Sequence, residues 1–280
     1  MKKLNFLIVA LILVASSCKV DDTPIPDEAA GYNMLLIGNS FFRPYAEALD
    51  DMAAEAGYEA HQSNIVFSGG NSGRPINLWK NTGEENQIIK ETLDKGDVDY
   101  FGMTAGYLPD NPTDGFREWI AYAVERNPEI TVFLSIPPMD YPDDWDARAK
   151  GEGFDNIHGL YDYFINDIIH KTVVDELRAE FPSINIFSIP TGRACYELYQ
   201  MQENGLLADE IAYRGKKDTS LFTDEKGHQG RITIQTGGLM WLNGLYKEDL
   251  SANNYQTGFD TDLHAIAKEI MDGHDPNYKQ

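Results

Sequence analysis

The chain has 280 residues, with 45 acidic and 23 basic side chains and a formal charge of −22. A surface of that sign repels nucleic acid and anionic membrane faces, and no lysine or arginine stripe offsets it. The acids are scattered rather than blocked, so they read as a solvated exterior and point to neutral rather than polyanionic substrates.

Lys2 and Lys3 precede an apolar run over 4–15, and the small residues Ala15, Ser16 and Ser17 lead into Cys18. The layout is that of a signal peptide, too short and wrongly flanked for a spanning helix. The ending resembles the lipobox of bacterial lipoproteins, which implies a leader over 1–17 and a lipidated Cys18. An ordinary secretory signal with an incidental cysteine is the alternative. Residues 19–22 resemble the acidic tag of surface-exported lipoproteins. The segment 18–31, with its Asp, Pro, Thr and Glu, reads as a flexible tether to one domain over 32–280. With Cys18 acylated, Cys195 has no partner for a disulfide and reads as buried and inert.

From residue 32 onward, apolar runs alternate with helical periodicity. Strands are predicted over 34–37, 65–67, 98–103, 130–136 and 184–189. Helices are predicted over 44–57, over 76–93 with a break near Gly83, and over 115–126, 162–180 and 237–245. Apolar strands alternating with helices argue for a parallel sheet covered on both faces. In such sheets ligands bind outside the carboxyl ends of the strands.

Three segments fall at those ends: Gly38-Asn39-Ser40-Phe41-Phe42, Ser68-Gly69-Gly70-Asn71-Ser72-Gly73 and Asp224-Glu225-Lys226-Gly227-His228. A serine on a tight turn before a helix is held out of the sheet, and its hydroxyl needs a base such as His228. An acid near that histidine, Asp224 or Glu225, can fix its tautomer and stabilise the imidazolium. Glycines in the second segment free backbone N–H groups to face an oxyanion. Read alone, each segment is also consistent with a turn, a cap or a solvated loop.

Together these segments resemble the SGNH (GDSL-like) hydrolase superfamily. The resemblance implies a flavodoxin-like three-layer α/β/α sandwich with a mainly parallel five-stranded sheet. It also implies Ser40 as nucleophile, His228 as base, Gly70 as oxyanion donor (Gly69 if the register shifts by one) and an orienting acid. Glu225 has the family's spacing to His228; Asp224 has the expected residue type and is preferred. The family's third block should end in Gly-x-Asn-Asp, yet 103–111 offers no asparagine at that place. Asn111 or the Gly106 backbone are the substitutes. The implied reaction is ester hydrolysis through an acyl-enzyme, without metal or organic cofactor. The substrate is a small-molecule or glycan ester, and the membrane is touched only through the lipid anchor at the cell envelope. A lipid or acyl-ester hydrolase and a catalytically inactive glycan-binding lipoprotein are the rivals.

His61, His158, His170, His264 and His274 show no metal-ligand spacing and read as surface or packing residues. Trp79, Trp119 and Trp241 fall on helical patterns and read as core. Trp145, in the acidic loop 137–146, is the candidate exposed aromatic for substrate contact. Asp140, Asp143, Asp144 and Asp146 match no Ca²⁺ loop.

Overall fold

The computed structural model describes residues 31–106 and 108–280. The leader, Cys18 and the tether through residue 30 lie outside the described residues. Five strands form one sheet: β1 (Asn33–Gly38), β2 (Gln62–Phe67), β3 (Tyr100–Thr104), β4 (Thr131–Ser135) and β5 (Ile186–Ile189). Their order is β2-β1-β3-β4-β5, and every pairing is parallel. This is the flavodoxin-like order, whose switch point lies between β1 and β3. The expected α/β/α sandwich is therefore the observed one.

The sheet is buried at β1, β3, β4 and β5 because those strands carry apolar side chains on both faces, while the edge strand β2 is half polar and only partly buried. Met34, Leu35, Leu36 and Ile37 of β1 and Val132, Phe133 and Leu134 of β4 are all inaccessible to solvent. Helices α1 (Arg43–Glu55), α2 (Pro75–Lys80), α3 (Glu84–Leu93) and α4 (Phe116–Val124) fill the connections among the first four strands. The break near Gly83 is real: α2 ends at Lys80, and Asn81 Oδ1 accepts the Gly83 N–H at 2.9 Å before α3 begins. Trp119 of α4 is fully buried and donates its indole N–H to the Pro75 carbonyl at 3.0 Å.

The second half holds more helix than its patterning suggests. After α5 (Trp145–Gly151), one continuous helical segment comprises α6 (Ile157–Tyr163), a π-helical stretch Phe164–Val174 and α7 (Asp175–Glu180). Nothing in the sequence of that middle stretch marks the wider winding. Helices α8 (Arg193–Glu203) and α10 (Leu263–Gly273) flank α9 (Arg231–Tyr246), and strands β6 (Ala212–Arg214) and β7 (Ser220–Phe222) make a short parallel pair.

Helix α9 starts six residues before the predicted helix because its first turns are rich in Thr and Gln, which weaken the apolar signal. Gly237 lies where α9 crosses α1: a Cβ there would stand 2.3 Å from the Tyr45 ring. A glycine costs a helix about 1 kcal/mol relative to alanine, and here the close approach of α1 accounts for it. Among the described residues, no helix is long and apolar enough to cross a membrane.

Candidate active site

Strand β1 ends at Gly38, and a hydrogen-bonded turn follows before α1. Asn39 organises it: its Oδ1 accepts the Phe41 N–H at 2.9 Å, and its carbonyl accepts the N–H groups of Phe42 and Arg43 at 3.0 Å each. Asn and Asp side chains commonly close such turns on their own backbone. Ser40 stands within the turn, and its N–H is used by none of these bonds. Phe41 and Phe42, just before the first helical turn, are both buried, Phe42 edge-on to Trp241 at 4.9 Å. The half-buried serine is thus presented by a turn whose flanks are anchored in the core.

The partner arrives from the other end of the chain. Ser40 Oγ lies 2.8 Å from His228 Nε2, across 188 residues of sequence. His228 Nδ1 lies 2.5 Å from Asp224 Oδ2. An ionised carboxylate only accepts, so Nδ1 carries the proton and Nε2 is left to accept from the serine hydroxyl. The other Asp224 oxygen accepts the N–H groups of Gly227 and His228 at 3.1 and 3.2 Å. Partial burial raises the Asp224 carboxyl. The hydrogen bonds from the His228 ring and the two N–H groups outweigh it and hold the group below the ordinary carboxylate range.

The histidine is braced in two further ways. Its ring stacks on Phe41 with centroids 4.9 Å apart and 19° between planes. Its carbonyl accepts from the Thr223 N–H at 2.8 Å, which closes the loop back onto the end of β7. Glu225 is exposed, and both ring nitrogens of His228 are engaged elsewhere. Of the two adjacent acids, the structure therefore places Asp224 on the ring. The spacing of four from acid to base, with three residues between them, lets one carboxylate hold both the ring and the loop backbone.

The glycine loop after β2 lies beside the turn, but Gly73 makes the closest approach. A Cβ on Gly73 would stand 2.4 Å from the Gly38 carbonyl oxygen and 2.8 Å from Asn39 Cα. Gly70 adopts φ +55°, and a Cβ there would face the Lys226 ammonium at 3.9 Å; a Cβ on Gly69 would meet nothing within 4 Å. Asn111 is exposed on the loop after β3, where it lines a groove with Asn71 and Arg74. Gly106 is half-buried on the same loop. Thr104, at the end of β3, has a buried hydroxyl with no hydrogen-bond partner among the described residues.

Trp145 does not serve as an exposed aromatic. It is 2% exposed, donates to the Met139 carbonyl at 3.0 Å and packs against Tyr196 and Phe222. The acidic loop that suggested exposure turns back as α5, so its ring faces inward while Asp143, Asp144 and Asp146 face solvent. Cys195 is fully buried, with its thiol pushed up to about 12 by that burial. Among the described residues, no group of three or more His, Cys, Asp or Glu is placed to hold a metal ion. Gly73, Phe41 and Lys226 escaped sequence reasoning. Each acts by contact with a segment distant in sequence, and no local pattern marks that.

No protein-family model matches the chain, and no curated protein matches it. Among solved structures it is similar to the periplasmic domain of a lipopolysaccharide acetyltransferase from Salmonella ser. Paratyphi A. That similarity spans 79% of this chain and 85% of the other, at 13% identity and a TM-score of 0.46.

Proposed function

We propose that this protein is a serine ester hydrolase working through an acyl-enzyme, a carbohydrate esterase of deacetylase type at the cell envelope. The observation that carries the reading is the linear relay Ser40–His228–Asp224, with heavy-atom separations of 2.8 and 2.5 Å. His228 Nε2 takes the hydroxyl proton as Ser40 Oγ attacks the ester carbonyl. The Ser40 N–H and N–H groups of the glycine loop receive the charge that develops on the carbonyl oxygen. The imidazolium, steadied by Asp224, then gives its proton to the departing sugar oxygen, which leaves an acyl-serine. Water, deprotonated by the same nitrogen, attacks the acyl carbon and restores the hydroxyl.

Hydrolysis is favoured over transfer to a second alcohol by the openness of the relay. The His228 and Asp224 side chains keep 31% and 47% of their surface in solvent, which supports water as the group that His228 activates against the acyl-enzyme. An acidic, polar exterior suits glycan esters better than bulk lipid, and the leader and Cys18 support an anchored location outside the cytoplasm. Labelling with a fluorophosphonate, with the adduct located by peptide mass spectrometry, tests the nucleophile. Acetate release from acetylated sugars, set against a chain-length series of acyl esters, tests the substrate class. Label on Ser40 and preference for short acyl groups on sugars are expected. An unlabelled Ser40 with no ester turned over refutes the reading, and preference for long acyl chains replaces the carbohydrate with a lipid. Cys18→Ala is expected to release the protein from the membrane fraction or block its maturation.

A further inference from the structure

A groove of about 370 Å³ lies between the start of α2 and the loop after β3. That volume is within the range of small-molecule sites. Its lining includes Asn71, Arg74, Asn77, Lys80 and Asn111. Arg74 follows directly on Gly73, the residue pressed against Gly38 and Asn39, so the groove opens next to the turn that carries Ser40.

Arg74 is the informative residue. It is half-buried and makes no ion pair or side-chain hydrogen bond with another described residue. Arg43, Arg117, Arg126, Arg193 and Arg214 each bind a carboxylate. Arg148 and Arg178 also bind no carboxylate among the described residues, but Arg148 is exposed and Arg178 donates to the Ile186 and Asn277 carbonyls, so Arg74 is the half-buried arginine whose guanidinium stays open to an incoming anion. Its planar fork matches a carboxylate in two-point contact.

Asp110 and Asp114 also line the groove, but neither bonds the guanidinium. On the other side of the glycine loop, Lys226 Nζ lies 5.5 Å from the centre of the Phe41 ring and only loosely against Asp140, at 3.8 Å. The loop Gly70–Gly73 is thus flanked by two cations in a chain of net charge −22.

We propose that this groove is the subsite for the sugar part of the substrate and is built for an acidic sugar, with Arg74 binding its carboxylate. The esters acted on are then acylated uronic acids, and the neutral substrate suggested by whole-chain charge gives way to the local field. The assignment of the sugar as a leaving alcohol rests on the esterase reading above.

The test uses a matched pair, acetylated glucuronic acid and acetylated glucose, which differ by carboxylate against hydroxymethyl. Binding is measured by calorimetry on Ser40→Ala protein, where no turnover intervenes, and acetate release on active enzyme. The acidic sugar is expected to bind at least about tenfold more tightly, one bidentate contact's worth. Arg74→Gln should abolish that preference, Arg74→Lys should restore it in part, and about 0.5 M salt should weaken it. Lys226→Gln should lower the acidic-to-neutral ratio of kcat/KM. Circular dichroism of each variant separates lost preference from lost fold. Equal binding of the two sugars, or a preference that survives Arg74→Gln in folded protein, overturns the subsite. Selective binding without acetate release keeps the subsite and overturns the esterase reading. Equal release from both sugars does the reverse.

Discussion

Asp224→Asn isolates the orienting acid. The substitution preserves size and leaves an oxygen to accept the Gly227 and His228 N–H groups, so the loop keeps the contacts that shape it. What changes is the 2.5 Å contact to Nδ1. An amide turned to donate there selects the tautomer with the proton on Nε2, which cannot accept from Ser40, and an amide cannot stabilise the imidazolium. For a buried triad the cost is about 10⁴ in kcat. Here the Asp224 side chain is 47% exposed, and solvent supplies part of the lost stabilisation. The expected loss is therefore nearer 10² to 10³, or about 3 to 4 kcal/mol of barrier.

The assay is kcat and KM on a simple acetyl ester, with the fluorophosphonate labelling rate as a readout independent of deacylation. Both kcat and labelling should fall together while the melting temperature moves only a few degrees. Glu225→Gln should remain within about threefold of wild type, since no contact ties Glu225 to the ring. Asp224→Asn retaining more than a third of wild-type kcat, or Glu225→Gln losing as much, would refute the relay.

Gly73→Ala should lower kcat at least about tenfold with some 1–3 kcal/mol of destabilisation, because the new methyl meets backbone of the nucleophile turn; kinetics and urea melts check this, and unchanged kcat would mean that the turn tolerates displacement. Trp145→Ala should cost about 3–5 kcal/mol by thermal or urea melting, as expected of a buried aromatic, with KM little altered in the folded fraction. A selective rise in KM would restore Trp145 as a substrate contact.

His170 is held at about 3, by burial and then by the neighbouring His274, and His274 at about 4, chiefly by burial. Both rings stay neutral in the folded protein where the unfolded chain binds protons, below about pH 6.5. Stability should therefore fall as pH drops from about 6.5 toward 4, by up to about 1.4 kcal/mol per pH unit for each ring. Urea midpoints at several pH values test this, and His274→Gln should flatten the slope. An equally steep slope in that variant assigns the acid sensitivity to other groups.

Much of the fold was legible because parallel strands and amphipathic helices write their burial into local sequence. Met34 to Ile37 has to be buried on both faces whatever surrounds it, and the residues of α1 repeat at helical spacing against one wall. The same locality explains the misses. Helix α9 opens on Thr233 and Thr236, polar residues that are buried only because other elements pack over them. Trp145 sits among acids that say surface, yet Tyr196 and Phe222 from two other elements enclose its ring.

The candidate site divides along the same line. That a serine ends the first strand, that glycines follow the second and that an acid and a histidine precede the last long helix are properties of the chain read in order. Which acid meets His228 and which glycine touches the turn are distances between segments up to 188 residues apart. The backbone's path through the sheet sets such distances, and no spacing along the sequence encodes them. Tertiary structure alone brought Ser40, His228 and Asp224 together and pressed Gly73 against the turn that carries the serine.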